Sequence, residues 1–292
     1  MTPTLVRHHL RQSGSPGSYD SSAPADFCGR ARDWAEIQER MLVPLYEAVY
    51  DRLDVGPHTR LLGLGCGSGL ALLIAASRGA QVCGVDADKE RLDLARERLT
   101  PDSSREGHDD GPRAMALACG DAERAAADAG GTAFNLVTAF HPVGCVSSIE
   151  GLTASLVTAA GLTERGSPVV LGGWGPVERC ATASVLRVAQ RLADPLRTAG
   201  GWRPSGRDDL EDLADRAGLR PDGSGRVACP FGYGSLPSAV RGLLSTGLFD
   251  AALEVTDQAQ VEKELSEALH PHQRPDGTVW MANVFRYLIA RT

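Results

Sequence analysis

A glycine-rich stretch is the part of the sequence whose spacing points most directly to a ligand. The segment LLGLGCGSGL, residues 61–70, places Gly65, Gly67 and Gly69 at alternate positions after an apolar, strand-like start. A turn without Cβ atoms lets a ligand approach main-chain N–H groups and the N-terminus of the helix predicted to begin near Gly69. A dinucleotide-binding turn needs a third glycine at position 70, which is Leu70. The spacing therefore does not fit a dinucleotide.

Two carboxylates follow at the ends of the next two predicted strands. The segment QVCGVD ends in Asp86, and ACGDAE contains Asp121. Asp86 can accept both hydroxyls of a ribose, while Asp121 can accept an amino hydrogen of adenine beside the N–H of Ala122. The alternative is that these residues are ordinary strand-end turns and helix caps. We predict an adenosine pocket, with nine cofactor-binding residues: Gly65, Cys66, Gly67, Gly69, Asp86, Ala87, Asp121, Ala122 and Phe140.

Alternating strand and helix signals must position these residues. Strands are predicted at about 60–65, 81–86, 114–119, 134–140 and 167–174, and helices at about 69–78, 88–99, 147–162 and 178–193. This alternation implies parallel strands, right-handed crossovers and a doubly wound sheet. Beyond residue 200 we predict a capped helix in GRDDLEDLADRAGL, a strand in GRVACPFGY and one long final strand in GTVWMANVFRYLIAR.

The chain divides into a flexible N-terminal tail and one domain. Residues 1–25 are rich in Ser, Gly and Pro, which predicts the tail. Residues 26–292 form the predicted domain, with helical insertions at about 175–205 and 235–272. We expect these insertions to cover the carboxyl ends of the strands, where open α/β sheets bind ligands.

Composition excludes several classes of partner. A net charge of −7 over 292 residues argues against binding to nucleic acid, and no apolar run approaches the length of a membrane span. The seven cysteines are odd in number and lack a CxxC pair, so neither a disulfide framework nor a zinc site is indicated. His270 and His272 have no evident third ligand, and we expect no metal. These features predict a reduced, cytoplasmic protein without membrane or nucleic-acid partners.

The sequence resembles class I S-adenosylmethionine (SAM)-dependent methyltransferases. More narrowly, it is similar to an actinobacterial group that methylates small molecules, in the strings ARDWAEIQER, GVDADKERLDLARERL, FNLVTAFHPV, GGWGPVERC and DGTVWMANVFRYLIA. The resemblance covers roughly residues 20–292. It implies a Rossmann-like α/β fold, doubly wound with seven strands of which the last is antiparallel, a helical cap, and SAM as cofactor. A role in secondary-metabolite or antibiotic biosynthesis is expected from this likeness alone.

Gly63 departs from the pattern of that family, which usually places Asp or Glu there to hold the SAM amino group. Losing a charge-assisted hydrogen bond costs about 1.5–3 kcal/mol. Three alternatives stay open: SAM binds weakly, another acid compensates, or the fold is reused without SAM. The functions that compete with methyl transfer are therefore a cyclase or other intramolecular substitution catalyst, and a non-catalytic partner subunit of a homologue.

Catalytic and acceptor-binding residues are predicted at further strand ends. His141, in TAFHPVG, is the candidate general base, because its ordinary pKa of about 6.5 suits proton transfer near neutral pH. The alternative is a histidine that caps the turn before Pro142. Trp174, Tyr233 and Trp280 are candidates for contacts with a small-molecule acceptor, with plain core packing as the alternative for each. The acceptor, and the choice between a homodimer and a complex with a related chain, stay open.

Overall fold

The computed structural model describes residues 27–100, 114–140, 149–193 and 208–292. The predicted tail, residues 1–25, lies outside the described residues. Within these ranges the chain forms nine strands, eleven α-helices and a few shorter helical turns. The strands are β1 (Arg60–Leu64), β2 (Gln81–Asp86), β3 (Ala114–Cys119), β4 (Leu136–Ala139), β5 (Pro168–Trp174), β6 (Arg220–Ala228), β7 (Phe231–Tyr233), β8 (Val279–Met281) and β9 (Val284–Arg291).

Helices alternate with the strands from β1 to β5, and five more helices follow β5. The helices are α1 (Phe27–Asp33), α2 (Val43–Arg52), α3 (Leu70–Ser77), α4 (Lys89–Leu99), α5 (Ala122–Asp128), α6 (Ile149–Gly161), α7 (Thr182–Ala193), α8 (Asp209–Arg216), α9 (Leu236–Leu244), α10 (Asp250–Val255) and α11 (Gln258–Leu269). A π-helical turn (Trp34–Gln38) and a 3-10 turn (Glu39–Leu42) join α1 to α2, and two more 3-10 turns span Val177–Arg179 and His270–His272.

Seven strands form one mixed sheet in the order β3-β2-β1-β4-β5-β9-β6. The neighbours from β3 to β5 are parallel, whereas β9 runs antiparallel to both β5 and β6. Strand order reverses between β1 and β4, which is the position where open α/β sheets form a ligand crevice. The predicted seven-stranded Rossmann-like sheet with an antiparallel last strand is confirmed.

Apolar side chains fill both faces of this sheet. Leu61 and Leu62 are adjacent in β1 and fully buried in different core clusters, as alternation along a strand requires. The first cluster includes residues of α2, α3, α7, α9 and α11, and the second includes residues of α5, α6 and α8. Because both faces of the sheet are covered, a ligand can reach the sheet only at the ends of its strands.

Helices α9 and α10 pack against the N-terminal helices. Arg30 of α1 donates a 2.7 Å hydrogen bond to Asp250 of α10, and Arg241 of α9 forms an ion pair with Asp33. The guanidinium of Arg91 in α4 donates to the carbonyl of Ser245, directly after α9, at 2.7 Å. Since α4 follows β2, these contacts bring α9 near the carboxyl ends of β1 and β2.

The last predicted strand is wrong as one continuous element. It is divided into β8 and β9 by Ala282 and Asn283. The Asn283 side chain is buried, donates to the Thr182 hydroxyl at 2.8 Å and accepts from the Thr182 N–H at 3.1 Å. The break therefore lets the chain bind the first residue of α7. The strand predicted in GRVACPFGY is likewise two strands, β6 and β7, and β6 begins earlier, at Arg220.

Candidate functional site

The glycine turn between β1 and α3 has the conformation that its sequence predicts. Gly65, Gly67 and Gly69 have φ angles of 61°, 57° and 79°, in the left-handed region that L-residues with a Cβ seldom adopt. The Cys66 N–H donates to the Val85 carbonyl at 3.0 Å, which fixes the turn against β2. Helix α3 begins directly after Gly69.

Asp86 connects the end of β2 to this turn. One carboxylate oxygen, Oδ2, accepts the N–H of Gly67 at 2.8 Å, and Oδ1 accepts the N–H of Asp88 at 2.9 Å. Each carboxylate oxygen has a second lone pair, so both can still accept a hydroxyl. The side chain is nearly buried, at 9% exposed. Asp86 is thus held where it can accept a ribose diol, next to an exposed Ala87.

Asp121 lies at the end of the neighbouring strand. The Gly120 N–H donates to the Asp86 carbonyl at 2.9 Å, so the ends of β2 and β3 are joined. Asp121 caps α5, because its Oδ1 accepts the Arg124 N–H at 2.9 Å. Ala122 is buried in the first turn of α5. The structure thus shows the helix cap, and the adenine contact of Asp121 and Ala122 stays a prediction that the remaining oxygen of Asp121 allows.

A pocket opens between the glycine turn and the start of α2. It is bounded by Gly63, Gly65 and Cys66 on one side, by Thr138 and Phe140 at β4, and by Tyr46 and Glu39 from the N-terminal helices. The Phe140 ring packs 4.9 Å from the Tyr46 ring and 5.8 Å from the Tyr50 ring, measured between centroids. Phe140 is 6% exposed, so it forms an apolar wall of this pocket.

Gly63 has a packing reason to be glycine. It pairs with Gly84 of β2, and the two residues leave a hollow on one face of the sheet. A Cβ at Gly63 would lie 2.9 Å from Cδ2 of Leu72, and a Cβ at Gly84 would lie 2.6 Å from Cδ1 of the same leucine and 2.8 Å from the Cys66 sulfur. The hollow is therefore filled by side chains of the glycine turn and α3.

Residues 34–42, which we call the N-terminal cover, lie directly over the glycine turn. A Cβ at Gly67 would be 2.9 Å from Trp34 Nε1 and 3.0 Å from Glu39 Oε1. The Arg91 guanidinium stacks on the other side of the cover, 4.5 Å from the centre of the Trp34 ring. Gly67 is thus required by the cover as well as by its backbone angle.

Glu39 is a buried acid that the sequence did not reveal. Its side chain is 2% exposed, and its Oε2 accepts hydrogen bonds from the Ser68 hydroxyl and, at 2.7 Å, from Arg98. Its Oε1 lies 3.4 Å from the Leu70 N–H at the start of α3. Glu39 belongs to the string ARDWAEIQER, but that string does not predict its partners, because Ser68 is 29 residues away and Arg98 is 59 residues away.

The electrostatics of the pocket are those of an acidic site. Burial raises the pKa of the Cys66 thiol well above its ordinary value, and the charges of Asp86 and Glu39 raise it further. Burial, followed by the charge of Glu39, also raises the pKa of Tyr46. Both groups therefore stay protonated at neutral pH. Cys66 is therefore no nucleophile here, and Glu39 is the charged residue among those that line the pocket.

The three predicted acceptor residues, all of them described, do not line this pocket. His141 lies outside the described residues. Trp174 and Tyr233 are buried: the Trp174 ring is 4.5 Å from the Phe285 ring, and the Tyr233 hydroxyl donates to Gln38 at 2.8 Å. Trp280 is 42% exposed on β8, with the Arg274 guanidinium 4.7 Å from its ring centre. Acceptor contacts from these three residues stay a prediction, while the core packing of the first two is observed.

Potential metal ligands are not clustered in the same described ranges. These ranges contain no group of three or more His, Cys, Asp and Glu residues placed to hold a metal ion. His270 and His272 belong to a short 3-10 turn after α11. In the part of the chain that the structure describes, every helix falls short of the length and apolar character that a membrane span requires.

Comparison with known proteins assigns a domain to the middle of the chain. Residues 62–159 match the family model described as a methyltransferase domain. This match contains the glycine turn, Asp86, Asp121 and Phe140, and it spans less than half of the chain. No curated protein sequence matches the chain.

Solved structures share the fold at low sequence identity. A cyclopropane synthase from Mycobacterium tuberculosis aligns with a TM-score of 0.51 and 13% identity, over 91% of this chain and 94% of that one. A mycolic acid cyclopropane synthase in complex with SAH and CTAB aligns with a TM-score of 0.50 and 13% identity, over 87% and 83%. A candidate methyltransferase from Bacillus halodurans gives 0.50 and 13%, over 84% and 97%. These likenesses establish the fold.

Proposed function

We propose that this protein is a SAM-dependent methyltransferase that acts on a small organic acceptor. The observation that carries the proposal is the position of Asp86, whose carboxylate accepts the Gly67 N–H at 2.8 Å while a lone pair on each oxygen stays available. A methyltransferase-domain match over residues 62–159 supports it. A cyclopropane synthase of the same fold was solved with SAH, S-adenosylhomocysteine, the demethylated product of SAM.

The residues present fit this cofactor. Three left-handed glycines keep the turn free of Cβ atoms, and Asp86 supplies an acceptor for the ribose hydroxyls. Asp121 and the Ala122 N–H would hold the adenine edge, with Phe140 and the turn residues Gly65, Cys66, Gly67 and Gly69 around the nucleoside and Ala87 beside it. When bound, SAM supplies a methyl group on a cationic sulfonium. Two nearby carboxylates, Asp86 and Glu39, suit that positive charge.

Positioning is the main task of this chain in such a reaction. Methyl transfer is an in-line displacement, so holding the acceptor atom behind the methyl carbon provides most of the acceleration. A hydroxyl acceptor also needs a group that takes its proton. His141 follows Phe140 directly in the sequence and remains our predicted base. The buried rings of Phe140 and Tyr46 line this side of the pocket.

The acceptor class and the setting are inferred from resemblance and composition. We infer a small molecule of secondary metabolism, such as an antibiotic precursor, enclosed beneath the cap helices α7 and α9 to α11. A reduced, cytoplasmic setting agrees with the six described cysteines, all of which are free thiols.

Calorimetric titration tests the proposal. SAH and SAM should each bind the purified chain with micromolar affinity and a stoichiometry near one. Adenosine triphosphate serves as a control, since its phosphates would meet the negative potential of Asp86 and Glu39, and it should bind at least tenfold more weakly. Absence of heat at millimolar SAH would end the proposal.

Gly63 favours one alternative, an intramolecular substitution catalyst such as a cyclase that uses the fold without SAM. The family's usual acid is missing there, and its space is occupied by Leu72. This alternative predicts turnover by protein stripped of SAM. Strict dependence on SAM, with one SAH released per product, would exclude it.

A further inference from the structure

The N-terminal cover carries an acid that can substitute for the one missing at position 63. Among the described residues that bound the pocket, Glu39 is the one that carries a negative charge. It reaches the pocket from the 3-10 turn Glu39–Leu42, whereas Gly63 borders the same pocket from β1. Both positions can therefore serve one ligand group.

The two carboxylate oxygens of Glu39 have different surroundings. Oε2 accepts from the Ser68 hydroxyl and from Arg98, and these contacts anchor the side chain. Oε1 has the 3.4 Å approach of the Leu70 N–H, a long and weak contact. It lies 3.0 Å from the point that a Cβ at Gly67 would occupy. Oε1 thus keeps acceptor capacity beside the turn.

The burial of Glu39 makes the free acceptor capacity of its Oε1 energetically important. At 2% exposure Glu39 has little access to water, and a buried carboxylate needs partners for its lone pairs. Arg98 compensates the charge from one side only, at 2.7 Å from Oε2. A second cation on the pocket side would complete the site. Burial is the main cause that raises the pKa of the neighbouring Cys66 thiol, and the charges of Asp86 and Glu39 raise it further.

We propose that Glu39 binds the α-ammonium group of the methionine portion of SAM, in place of an acid at position 63. This inference rests on the proposed function, because it assumes that SAM or SAH occupies the pocket. Arg98 and Ser68 act as positioning residues that hold the carboxylate toward the turn. The glycine at position 63 is then free to accommodate Leu72, and the cover becomes part of the cofactor site.

A ligand–protein cycle tests the assignment. SAH and its deamino analogue, which lacks only the α-amino group, are titrated into the wild type and into Glu39→Gln. The wild type should prefer SAH by at least tenfold. Glu39→Gln should bind the two ligands with affinities within about twofold of each other. Its affinity for the deamino analogue should equal that of the wild type, because the substitution removes only the interaction between the Glu39 carboxylate and the α-ammonium group.

Controls separate this role from a structural one. Glu47→Gln, on the exposed side of α2, should keep the wild-type preference for SAH. Ser68→Ala removes one of the groups that position the Glu39 carboxylate but leaves its charge, so the preference for SAH should fall, though less than in Glu39→Gln. If Glu39→Gln weakens both ligands equally, or keeps the wild-type preference, the inference is overturned while the proposed function stands.

Two other outcomes are equally informative. If the wild type fails to bind SAH, the proposed function and this inference both fall. If Glu39→Gln does not fold, Glu39→Asp keeps the charge but withdraws it from the pocket, and melting curves confirm that it folds. The preference of Glu39→Asp for SAH should then drop at least threefold, and an undiminished preference would overturn the inference.

Discussion

At the scale of single residues, Asp86 has one observed role and one proposed role. It stabilises the glycine turn through the Gly67 N–H, and we propose that the lone pairs left on its oxygens accept the ribose hydroxyls. A carboxylate that accepts backbone N–H groups is fixed in orientation before any ligand arrives, which lowers the ordering cost of binding. The two roles together mean that its removal should affect the fold as well as the site.

Substitution of Asp86 tests both roles, because binding and stability are measured separately. Asp86→Ala should weaken SAH binding at least tenfold, since two hydrogen bonds to a charged acceptor, each contributing about 1.5–3 kcal/mol, are lost. Calorimetry measures the affinity, and a melting curve reports the fold. Asp93→Ala, whose ion pair with Arg96 lies on the exposed side of α4, is the matched control and should bind normally. Normal binding by Asp86→Ala would place the nucleoside elsewhere.

Gly63 provides a second residue-scale prediction. Gly63→Asp should lower the free energy of unfolding by about 1–3 kcal/mol, because Leu72 must move and a carboxylate enters an apolar hollow. SAH affinity should not rise, since Glu39 already supplies the acid. Gly63→Ala isolates the steric part and should be milder. A stable Gly63→Asp protein with tenfold tighter SAH binding would show that the pocket lacks an acid.

At the scale of elements, the N-terminal cover depends on close packing against α9. A Cβ at Gly242 of α9 would lie 2.9 Å from Ile37 Cγ2, 2.9 Å from Tyr233 Cε1 and 3.2 Å from Gln38 Oε1. Two of these neighbours belong to the cover. The glycine therefore lets α9 approach the segment that carries Trp34 and Glu39.

Two glycine-to-alanine changes test this packing. Alanine is favoured over glycine within a helix by about 1 kcal/mol. At Gly161, the last residue of α6, a Cβ meets no atom within 4 Å, so Gly161→Ala should keep or raise the melting temperature. Gly242→Ala should lower it by several degrees and weaken SAH binding, because the clash outweighs the helix preference. Equal melting temperatures for the two variants would contradict tight packing of the cover.

Secondary-structure elements with a clear local pattern of apolar and turn residues are predictable from the sequence. Strands β1 to β5 were predicted within about two residues of their observed bounds, because their apolar runs are bounded by glycine or polar turns. Helix α5 is not among the predicted helices, because AERAAAD is short; the helix cap that was the alternative interpretation of Asp121 is observed. The division of β8 from β9 depends on Asn283 meeting Thr182, a contact between residues 101 positions apart.

In the candidate site, too, only the features that depend on local sequence patterns are predictable. The glycine turn and the carboxylates at strand ends follow from local motifs, so their neighbourhood was predictable. Glu39 was not, since only the tertiary packing of the cover brings it to Ser68 and Arg98. Likewise, the reason for Gly63 is the side chain of Leu72, which reaches it from the next helix.

At the scale of the whole molecule, buried thiols should make the free energy of unfolding fall at alkaline pH. Burial raises the pKa of Cys83 from 9.0 to about 11 and that of Cys229 from 9.0 to about 12. In the folded state these thiols keep their protons to a higher pH than in the unfolded state. Their contribution to stability is therefore complete below pH 9 and is lost as the pH rises through the folded-state values.

Denaturation at several pH values tests this dependence. The free energy of unfolding should change little between about pH 7 and 8.5 and should fall between about pH 9 and 11. Cys83→Ala removes one of the responsible groups, so its stability should fall less steeply over the same interval. If the free energy of unfolding falls equally steeply with pH in the wild type and in this variant, groups other than Cys83 cause the loss of stability at alkaline pH.

The central claim is that the glycine turn, Asp86 and Asp121 form one nucleoside site beneath the N-terminal cover. Hydrogen–deuterium exchange with and without saturating SAH measures this directly, because bound ligand slows exchange of the amides it orders. We predict slower exchange in residues 34–42, 63–70, 86–91 and 119–124, with little change in α8 and β6. Unchanged exchange in those four segments, or protection confined to another part of the molecule, would contradict the claim.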